Sequence, residues 1–386
     1  MTEVCLLPGP VSLSATVQAA MQQPPLYHRG AEFLALFDSV REQLSALVGG
    51  RDVALFLGSG TLANEVVAAT LSAEQCCSPG PCGLDDSNQM GNQPSHKGLG
   101  YSGSHGLILE NGEFGRRLVA QAERFGLHPR VLTWPWGTPW DLDAVAAMLD
   151  EAPPGSWVWG VHHESSTGML NDLPALIRVA RQRGVRVCVD AVSSLGGQPL
   201  DLSEVFLASG TSGKALGSIG GIAIVFANRA EISQLDLTRV PTYLDLAATQ
   251  AHAGPRFTFP SSLLQALAAA LTEYATPAQA QVRFDQYASL GLYVRRELIR
   301  LGHRPLANEH HASSTITTIA VPAGWTSEAF VEFCRREGFL IGGQSAYLSE
   351  RRLVQIATMG ATTREECAAF IQHLASLSWH SPSCGS

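Results

Sequence analysis

The sequence of 386 residues predicts an α/β fold, with a mainly parallel seven-stranded sheet in a large domain and a smaller α+β domain after it. Short apolar runs rich in Val, Ile and Leu alternate with helical stretches, which is typical of βα units and parallel sheets. Polar or glycine-rich turns follow several of these runs. Open α/β sheets bind ligands at such strand ends, so the pattern also indicates where a site should lie.

The large domain is predicted to span 16–260. Its strands are expected near 53–57, 107–110, 130–133, 157–162, 185–190, 205–208 and 221–226. Residues 75–105 are rich in Gly, Ser, Asn and Pro and longer than an ordinary connection, so they are interpreted as a flexible insertion. The small domain is predicted at 275–386, with strands near 314–321, 339–342 and 353–358 and a closing helix at 363–377.

A glycine-rich turn follows the first strand of the large domain. Val53–Leu57 precedes Gly58-Ser-Gly-Thr61, and a helix is expected from Leu62. The backbone N–H groups of such a turn, together with a helix N-terminus, can bind a phosphate. Many strand-to-helix turns look similar, so this turn indicates a phosphate site only in combination with the other motifs of the chain.

An acid closes another buried strand. The run Arg186-Val-Cys-Val-Asp190 should place Asp190 at the carboxyl end of the sheet. A carboxylate there could hold a pyridinium nitrogen protonated. A helix N-cap or a buried ion pair is the alternative for this residue taken alone.

Lysine is scarce in this chain, which contains only Lys97 and Lys214. Lys214 lies in the small-residue stretch 209–217, whereas Lys97 lies in a polar stretch where a solvated charge is expected. An amine can lose its proton and form a Schiff base, which a guanidinium cannot do. A simple contact to a phosphate or carboxylate is the alternative role for Lys214.

An aromatic residue, a pair of histidines and a cluster of cysteines are further candidates for a binding site. Phe114 follows the strand at 106–109 and could stack on a planar cofactor or pack in the core. The adjacent His162 and His163 should point to opposite faces of a strand, which argues against a shared metal. Cys76, Cys77 and Cys82 with His96 or His105 could form a zinc site, but their spacing is irregular. No metal is expected.

Together these motifs resemble the class V, fold-type I family of pyridoxal-phosphate enzymes, which includes glyoxylate and 2-aminoethylphosphonate aminotransferases and cysteine desulfurases. The resemblance covers nearly the whole chain and rests on an ordered set of segments, with the acid 24 positions before the lysine. The segments are Leu6–Pro10, Tyr27–Gly30, Gly58–Thr61, His163–Gly168, Asp190–Ser194 and Ser212–Lys214.

The resemblance implies the fold-type I transferase fold, with residues 1–15 joining the small domain, and pyridoxal 5'-phosphate as cofactor. Lys214 would form the Schiff base and act as general acid and base, and Asp190 would pair with the ring nitrogen. Phe114 would stack on the ring. The phosphate would be held by Ser59, Gly60, Thr61 and Ser212, and the ring oxygen by Ser165 or its neighbour. Ser193 and Thr258 are the other implied cofactor contacts. Thr258 would reach the partner subunit's phosphate, which implies a homodimer with composite sites.

The family resemblance implies an aminotransferase that moves an amino group from a small amine donor to pyruvate or glyoxylate in a ping-pong reaction. Tyr27, Arg29 and Gln355 are the predicted substrate contacts. Gln355 stands where many relatives have an arginine that grips the substrate carboxylate. Either another arginine replaces it, with Arg29, Arg351 and Arg352 as the candidates, or the natural substrates need no such contact.

Two further features bear on the substrate. Gly213 stands where the glyoxylate enzymes often have Gln before the lysine. The segments 243–246 and 256–258 look closer to the aminoethylphosphonate branch, whose donor has no α-carboxylate.

Two other functions stay open. A lyase or desulfurase would act on a β- or γ-substituted amino acid, but Cys334 lies in an amphipathic helix and Cys384 in the tail, so neither resembles a persulfide carrier. An inactive binding protein of the same fold is suggested only by Gln355, and the retained Lys214 argues against it.

Charge and hydropathy exclude other classes. A net charge of −8 and a pI near 5.8 argue against a nucleic-acid partner. There is no run of about 18 apolar residues, which argues against a membrane span. The first residues lack a basic segment followed by an apolar core, so a cytoplasmic location is expected.

Overall fold

The computed structural model describes residues 3–76 and 105–376. Its strands are β1 (Val4–Leu6), β2 (Asp52–Gly58), β3 (Gly106–Glu110), β4 (Arg130–Thr133), β5 (Trp157–Val161), β6 (His163–Glu164), β7 (Met169–Leu170), β8 (Arg186–Asp190), β9 (Leu207–Thr211), β10 (Gly221–Ala227), β11 (Ile316–Ala320), β12 (Phe339–Ile341) and β13 (Leu353–Ala357).

The α-helices are α1 (Ala15–Met21), α2 (Ala31–Leu47), α3 (Gly60–Cys76), α4 (Glu113–Arg124), α5 (Leu142–Asp150), α6 (Leu173–Arg181), α7 (Arg229–Ile232), α8 (Leu246–Ala251), α9 (Ser261–Leu271), α10 (Pro277–Arg300), α11 (Ser327–Arg336), α12 (Ala346–Ser349) and α13 (Arg364–Ser376). The predicted insertion at 75–105 falls almost wholly outside the described residues, as do Cys77, Cys82, His96 and Lys97.

Seven strands form the main sheet, in the order β2-β10-β9-β8-β5-β3-β4. β10 runs antiparallel to both of its neighbours, and every other neighbouring pair is parallel. This confirms the predicted mainly parallel sheet of seven strands.

One strand differs from its predicted position. β9 covers Leu207–Thr211 rather than 205–208, because Ser209, Gly210 and Thr211 pair with Val225, Ile224 and Ala223 of β10. All three are small and buried between neighbouring strands, so they extend the strand even though they read as a loop.

Helices cover both faces of the sheet. Along β2, Val53 and Leu55 face one core with α2 and α9, while Ala54 and Phe56 face a second core with α3. Burial on both faces explains why the strands are continuous apolar runs.

The C-terminal part forms a second, smaller layer. β1 from the N-terminus pairs in parallel with β12, and β11 pairs antiparallel with β13. Leu6, Ile341 and Phe370 are fully or almost fully buried in a common core there. Among the described residues, no helix combines the length and apolar character needed to cross a membrane.

The topology places three predicted motifs at one edge of the main sheet. β2, β8 and β9 are parallel to one another, so their carboxyl ends lie at the same edge. The glycine turn follows β2, Asp190 ends β8, and the loop with Lys214 follows β9.

Candidate active site

A cavity of about 340 Å³ lies at this edge, and we call it the central cavity. It gathers seven of the predicted site residues: Ser59, Gly60, Thr61, Phe114, Asp190, Ser193 and Lys214. Gly9 and Pro10 of the N-terminal segment and Gly220 and Gly221 at the start of β10 also line it. A single cavity therefore combines an amine, a carboxylate, an aromatic ring and a helix N-terminus.

Lys214 is partly buried in the wall of the central cavity. Its Nζ donates a hydrogen bond of 2.8 Å to Ser193 Oγ and lies 5.4 Å from the centroid of the Phe114 ring. Burial lowers the pKa of the lysine and the Arg117 charge lowers it further, while Asp190 and Glu164 oppose the shift. The amine is therefore easier to deprotonate than that of a surface lysine.

The loop that carries Lys214 is fixed on both sides of the lysine. The carbonyl of Ala215 accepts hydrogen bonds from the hydroxyl groups of Tyr274 and Tyr287, at 3.0 and 2.7 Å. On the other side, a Cβ on Gly213 would lie 2.5 Å from Gly220 Cα. A side chain at Gly213 would therefore require the backbone of one of the two segments to shift.

Asp190 is buried and its two carboxylate oxygens have separate partners. Oδ2 accepts from Asn64 Nδ2 at 2.7 Å, and Oδ1 accepts from the Val192 N–H at 2.9 Å. Burial raises the pKa of Asp190, and the bonds from Asn64 and Val192 and the charge of Lys214 counteract that rise. Asn64 was missed from the sequence; the only signal was an amide within the predicted helix of the glycine motif.

The glycine turn supplies the polar end of the central cavity. α3 begins at Gly60, so its first N–H groups have no acceptor within the helix. A Cβ on Gly60 would lie 2.5 Å from the side chain of Val192, so only glycine permits this close approach. An anionic group can approach the backbone at such a helix start.

Three predicted cofactor contacts do not line the central cavity. Ser212 Oγ donates to the Ile219 carbonyl at 2.7 Å, Ser165 is buried, and Thr258 is exposed. Their predicted roles therefore stay predictions.

Glu164 is a buried carboxylate that the sequence reasoning did not single out. It accepts hydrogen bonds from the N–H groups of Phe114 and Gly115, at 3.1 and 3.0 Å, and so caps the start of α4. Burial raises its pKa to about 7, although hydrogen bonds from Ser166 and Gly115 oppose the rise. The cap fixes the backbone of Phe114, the aromatic wall beside Lys214.

The two adjacent histidines face different cavities, which confirms that they point to opposite sides. His163 lines the central cavity, and its Nδ1–H donates to the Ser193 carbonyl at 3.0 Å. Its buried Nε2 has no hydrogen-bond partner among the described residues. His162 lines a separate cavity of about 630 Å³ that includes neither Lys214 nor Asp190.

The predicted substrate contacts are not gathered at the central cavity. Tyr27 and Arg29 are exposed, with Tyr27 at 67% of its full exposure. Gln355 is buried, and its Nε2 donates to the Ser165 carbonyl and, at 3.5 Å, to Thr318 Oγ1. The amide is thus engaged within the protein.

The family model for class V aminotransferases matches residues 123–341, which is more than half of the chain. The chain belongs to the class V aminotransferase family. It is 28% identical to a 2-aminoethylphosphonate–pyruvate transaminase of Aeromonas hydrophila, covering 96% of this chain and 94% of that protein. A protein of the same name from Vibrio cholerae is 27% identical over 95% of this chain and 96% of its own length.

Solved structures of the family have the same fold. The alanine–glyoxylate aminotransferase of a Nostoc species superposes with a TM-score of 0.80 at 26% identity, covering 97% of this chain and 94% of that one. An aspartate aminotransferase from Thermus thermophilus gives the same TM-score at 25% identity, covering 96% and 97%. The protein is therefore a pyridoxal-phosphate-dependent aminotransferase of fold type I.

The residues of the central cavity fit this cofactor. They offer an amine at Lys214, a carboxylate at Asp190, and a helix N-terminus after Ser59. Because Gly60 has no side chain, it leaves room beside Val192 at that N-terminus. The unpartnered Nε2 of His163 adds a buried acceptor in the same wall. When bound, pyridoxal phosphate supplies an electron sink for the bonds at the carbon that bears the amino group.

Proposed function

We propose that this aminotransferase takes its amino group from 2-aminoethylphosphonate and gives it to pyruvate. The observation that favours this donor is Gln355, a neutral side chain whose amide is engaged by Ser165 and Thr318. The usual arginine at this position grips an α-carboxylate, which 2-aminoethylphosphonate does not have. The relatives that carry this activity in their names match over nearly the whole chain.

In this proposal each residue of the central cavity has one task. Lys214 Nζ would take a proton from the donor carbon that bears the amino group, and would deliver a proton to the acceptor carbon that receives the amino group. Asp190, held by Asn64, keeps the ring nitrogen protonated, and Phe114 covers one face of the ring. Ser59, Gly60 and Thr61 hold the phosphate at the start of α3, and Ser193 is a further cofactor contact in the same cavity. Ser165 and Ser212, which do not line the central cavity, have no task in this proposal.

The homodimer with composite sites belongs to the same proposal. Thr258 is exposed beside two stacked aromatic rings, Tyr243 and Phe257, whose centroids lie 5.1 Å apart. Both rings are more than a third exposed, and Tyr243 reaches the carbonyl of Leu57 at the end of β2. An exposed aromatic pair next to the central cavity suits contact with a second copy. The cytoplasmic location stays a prediction.

A desulfurase is disfavoured by Cys334 and Cys367, the two cysteines that the structure describes in the C-terminal part of the chain. Cys334 and Cys367 are fully buried, and burial raises the pKa of each to about 12. A persulfide carrier needs an accessible thiolate. Neither cysteine meets that requirement.

The visible spectrum of the cofactor-loaded protein tests the donor. 2-Aminoethylphosphonate, alanine and serine would be added separately without any acceptor. We expect 2-aminoethylphosphonate to convert the yellow cofactor to its amine form at the lowest concentration, and pyruvate to restore the colour. Faster conversion by alanine or serine would contradict the proposed donor, and no conversion by any of them would contradict transamination of small amines.

A further inference from the structure

The substrate needs a cation that the family pattern does not provide in this chain. Gln355 is neutral and engaged by the Ser165 carbonyl. Arg352 donates to the carbonyl of Trp325 at 2.9 Å, so it too is engaged away from the central cavity. Arg29 is exposed, and among the described residues its side chain makes no hydrogen bond, ion pair or ring contact with a residue that lines that cavity. A different positive charge would therefore have to meet the anionic group of 2-aminoethylphosphonate or of pyruvate.

Arg117 on α4 is the guanidinium that shares a contact with Lys214. Its Cζ lies 5.0 Å from the centroid of the Phe114 ring, and Lys214 Nζ lies 5.4 Å from the same centroid. The Arg117 charge also contributes to the lowered pKa of Lys214. Both cationic groups therefore lie against the same ring. Lys214 lines the central cavity, and Arg117, which does not line it, contacts Phe114, which does.

Aromatic side chains surround the Arg117 guanidinium. Tyr347, on the short helix α12 of the C-terminal part, lies 5.7 Å from Arg117 Cζ and packs edge-on against Phe114 at 6.2 Å. Trp136 lies on the far side of Tyr347, with a centroid distance of 6.2 Å. Cation–π contacts hold the guanidinium in place without using its N–H donors. Arg351 stacks on Trp136, one ring further from Lys214.

The terminal N–H donors of Arg117 remain available. Its Nε donates to Glu113 Oε1 at 3.0 Å, and no other hydrogen bond of its side chain occurs among the described residues. Arg116 also pairs with Glu113, so a single carboxylate faces two guanidinium groups. Glu110 also interacts with Arg116, so the cluster contains two arginines and two carboxylates, and about half of the Arg117 side chain is exposed.

We propose that Arg117, held by Phe114 and Tyr347, binds the anionic group of the substrate in place of the missing arginine at position 355. The ligand is a small oxyanion, either the phosphonate of the donor or the carboxylate of a 2-oxo acid. This inference rests on the proposed function, because it assumes that the substrate reacts at Lys214. It makes Arg117 a specificity-determining residue that spacing alone does not reveal.

Two unreactive anions test this site without any chemistry. Ethylphosphonate and propionate would be titrated calorimetrically into the cofactor-loaded wild type and into Arg117→Gln, Arg117→Lys and Arg116→Gln. Loss of a charge-assisted bond predicts about 10- to 100-fold weaker binding in Arg117→Gln. Arg117→Lys should be intermediate, because it keeps the charge but loses the planar fork. Arg116→Gln, which alters the same Glu113 pair, should stay within about two-fold of the wild type.

The outcomes separate this inference from the proposed function. Weaker ethylphosphonate binding in Arg117→Gln assigns the site to the donor, and weaker propionate binding assigns it to the acceptor; either supports the inference. Equal affinities in wild type and Arg117→Gln overturn it, as does a wild type that binds neither anion. If 2-aminoethylphosphonate still converts the cofactor in that case, the proposed function stands while the inference fails. If the anions bind through Arg117 but no donor converts the cofactor, the function fails instead.

A folding control keeps the result interpretable. The circular dichroism spectrum and the bound cofactor absorbance of Arg117→Gln should match those of the wild type. If that variant loses its cofactor, Arg117→Lys becomes the deciding variant, and wild-type affinity for both anions in it would overturn the requirement for the guanidinium fork.

Discussion

Lys214 Nζ donates a 2.8 Å hydrogen bond to Ser193 Oγ, and the carbonyl of the same serine accepts the Nδ1–H of His163. Ser193 therefore connects the reactive amine to a buried imidazole. Its hydroxyl stabilises the charged form of the lysine, while burial favours the neutral form. The position and the proton affinity of the amine both depend on this serine.

Replacing Ser193 by alanine should slow catalysis and lower the pKa of Lys214 further, because one acceptor for the charged amine is lost. A hydrogen bond to a charged group is worth about 1.5–3 kcal/mol, so a decrease in kcat of about 10-fold or more is expected. The pKa would be measured in the cofactor-free protein, from the pH dependence of the rate at which an amine-reactive reagent labels Lys214. Ser194→Ala is the matched control, since Ser194 Oγ bonds His162 Nδ1 at 3.0 Å, away from the lysine. An equal loss in both variants would contradict this role of Ser193.

The buried histidines should make the cofactor-free protein less stable in acid. Burial lowers the pKa of His163 to about 3 and of His162 to about 4, from an ordinary 6.5. At pH values below 6.5 and above the folded pKa of each histidine, that histidine is protonated in the unfolded chain but not in the folded chain. The free energy of unfolding therefore falls as the pH drops below 6.5. Burial of each histidine should lower the free energy of unfolding by about 2 kcal/mol at pH 5.

Glu164 acts in the opposite direction, because its folded pKa of about 7 lies above its ordinary 4.5. Its contribution to stability therefore grows as the pH falls from 7 to 4.5 and offsets roughly one histidine. Urea unfolding of wild type and His163→Gln at pH 7 and pH 5 tests this balance. The decrease in the free energy of unfolding from pH 7 to pH 5 should be about 2 kcal/mol smaller in the variant. An unchanged loss would show that His163 is protonated in the folded state.

Much of the fold and part of the site could be predicted from local sequence. Strands such as β8 are apolar runs ending in a chemically informative residue, Asp190, so their positions and the edge of the sheet follow from the pattern. The end of β9 could not be predicted in this way. Gly210 belongs to the strand because it pairs with Ile224 of β10, and a Cβ at this position would lie 2.7 Å from the Leu195 side chain.

The parts of the site that were missed depend on contacts across the fold. Asn64 matters because it reaches Asp190 from α3, more than a hundred residues away in sequence. Arg117 gains its environment from Tyr347 of the C-terminal part. Gln355 was recognised as a substitution, but only the structure shows that its amide bonds Ser165. Such roles follow from tertiary packing and leave no periodic signal.

Gly213→Ala should destabilise the lysine loop, because the new Cβ would lie 2.5 Å from the backbone of Gly220. Overpacking of this kind costs about 1–3 kcal/mol, and displacement of Lys214 should also weaken cofactor retention. Gly220→Ala is the control, since its Cβ would come no closer than 4.0 Å to Gly213 Cα. Thermal unfolding and cofactor absorbance would be compared. Equal stability of the two variants would mean that the loop can relax freely.

Gln355→Leu should destabilise the protein by about 1–3 kcal/mol, because the buried Ser165 carbonyl would keep only the 3.4 Å hydrogen bond from the Gly168 N–H. The affinity of Arg117 for ethylphosphonate should be unchanged, since the Gln355 amide bonds Ser165 and Thr318, whereas Arg117 contacts Glu113, Phe114 and Tyr347. Urea unfolding gives the first quantity and calorimetry the second. A stable variant with weakened anion binding would instead place Gln355 in the substrate site.

Lys214 is the residue to which we assign the covalent bond with the cofactor. The loaded protein would be reduced with borohydride, digested and mapped by mass spectrometry, with Lys97, the only other lysine in the chain, as the internal control. We predict that the pyridoxyl group is found on Lys214 and is absent from a Lys214→Arg variant treated in parallel. A label on Lys97, or an equal label in the variant, would contradict the assignment.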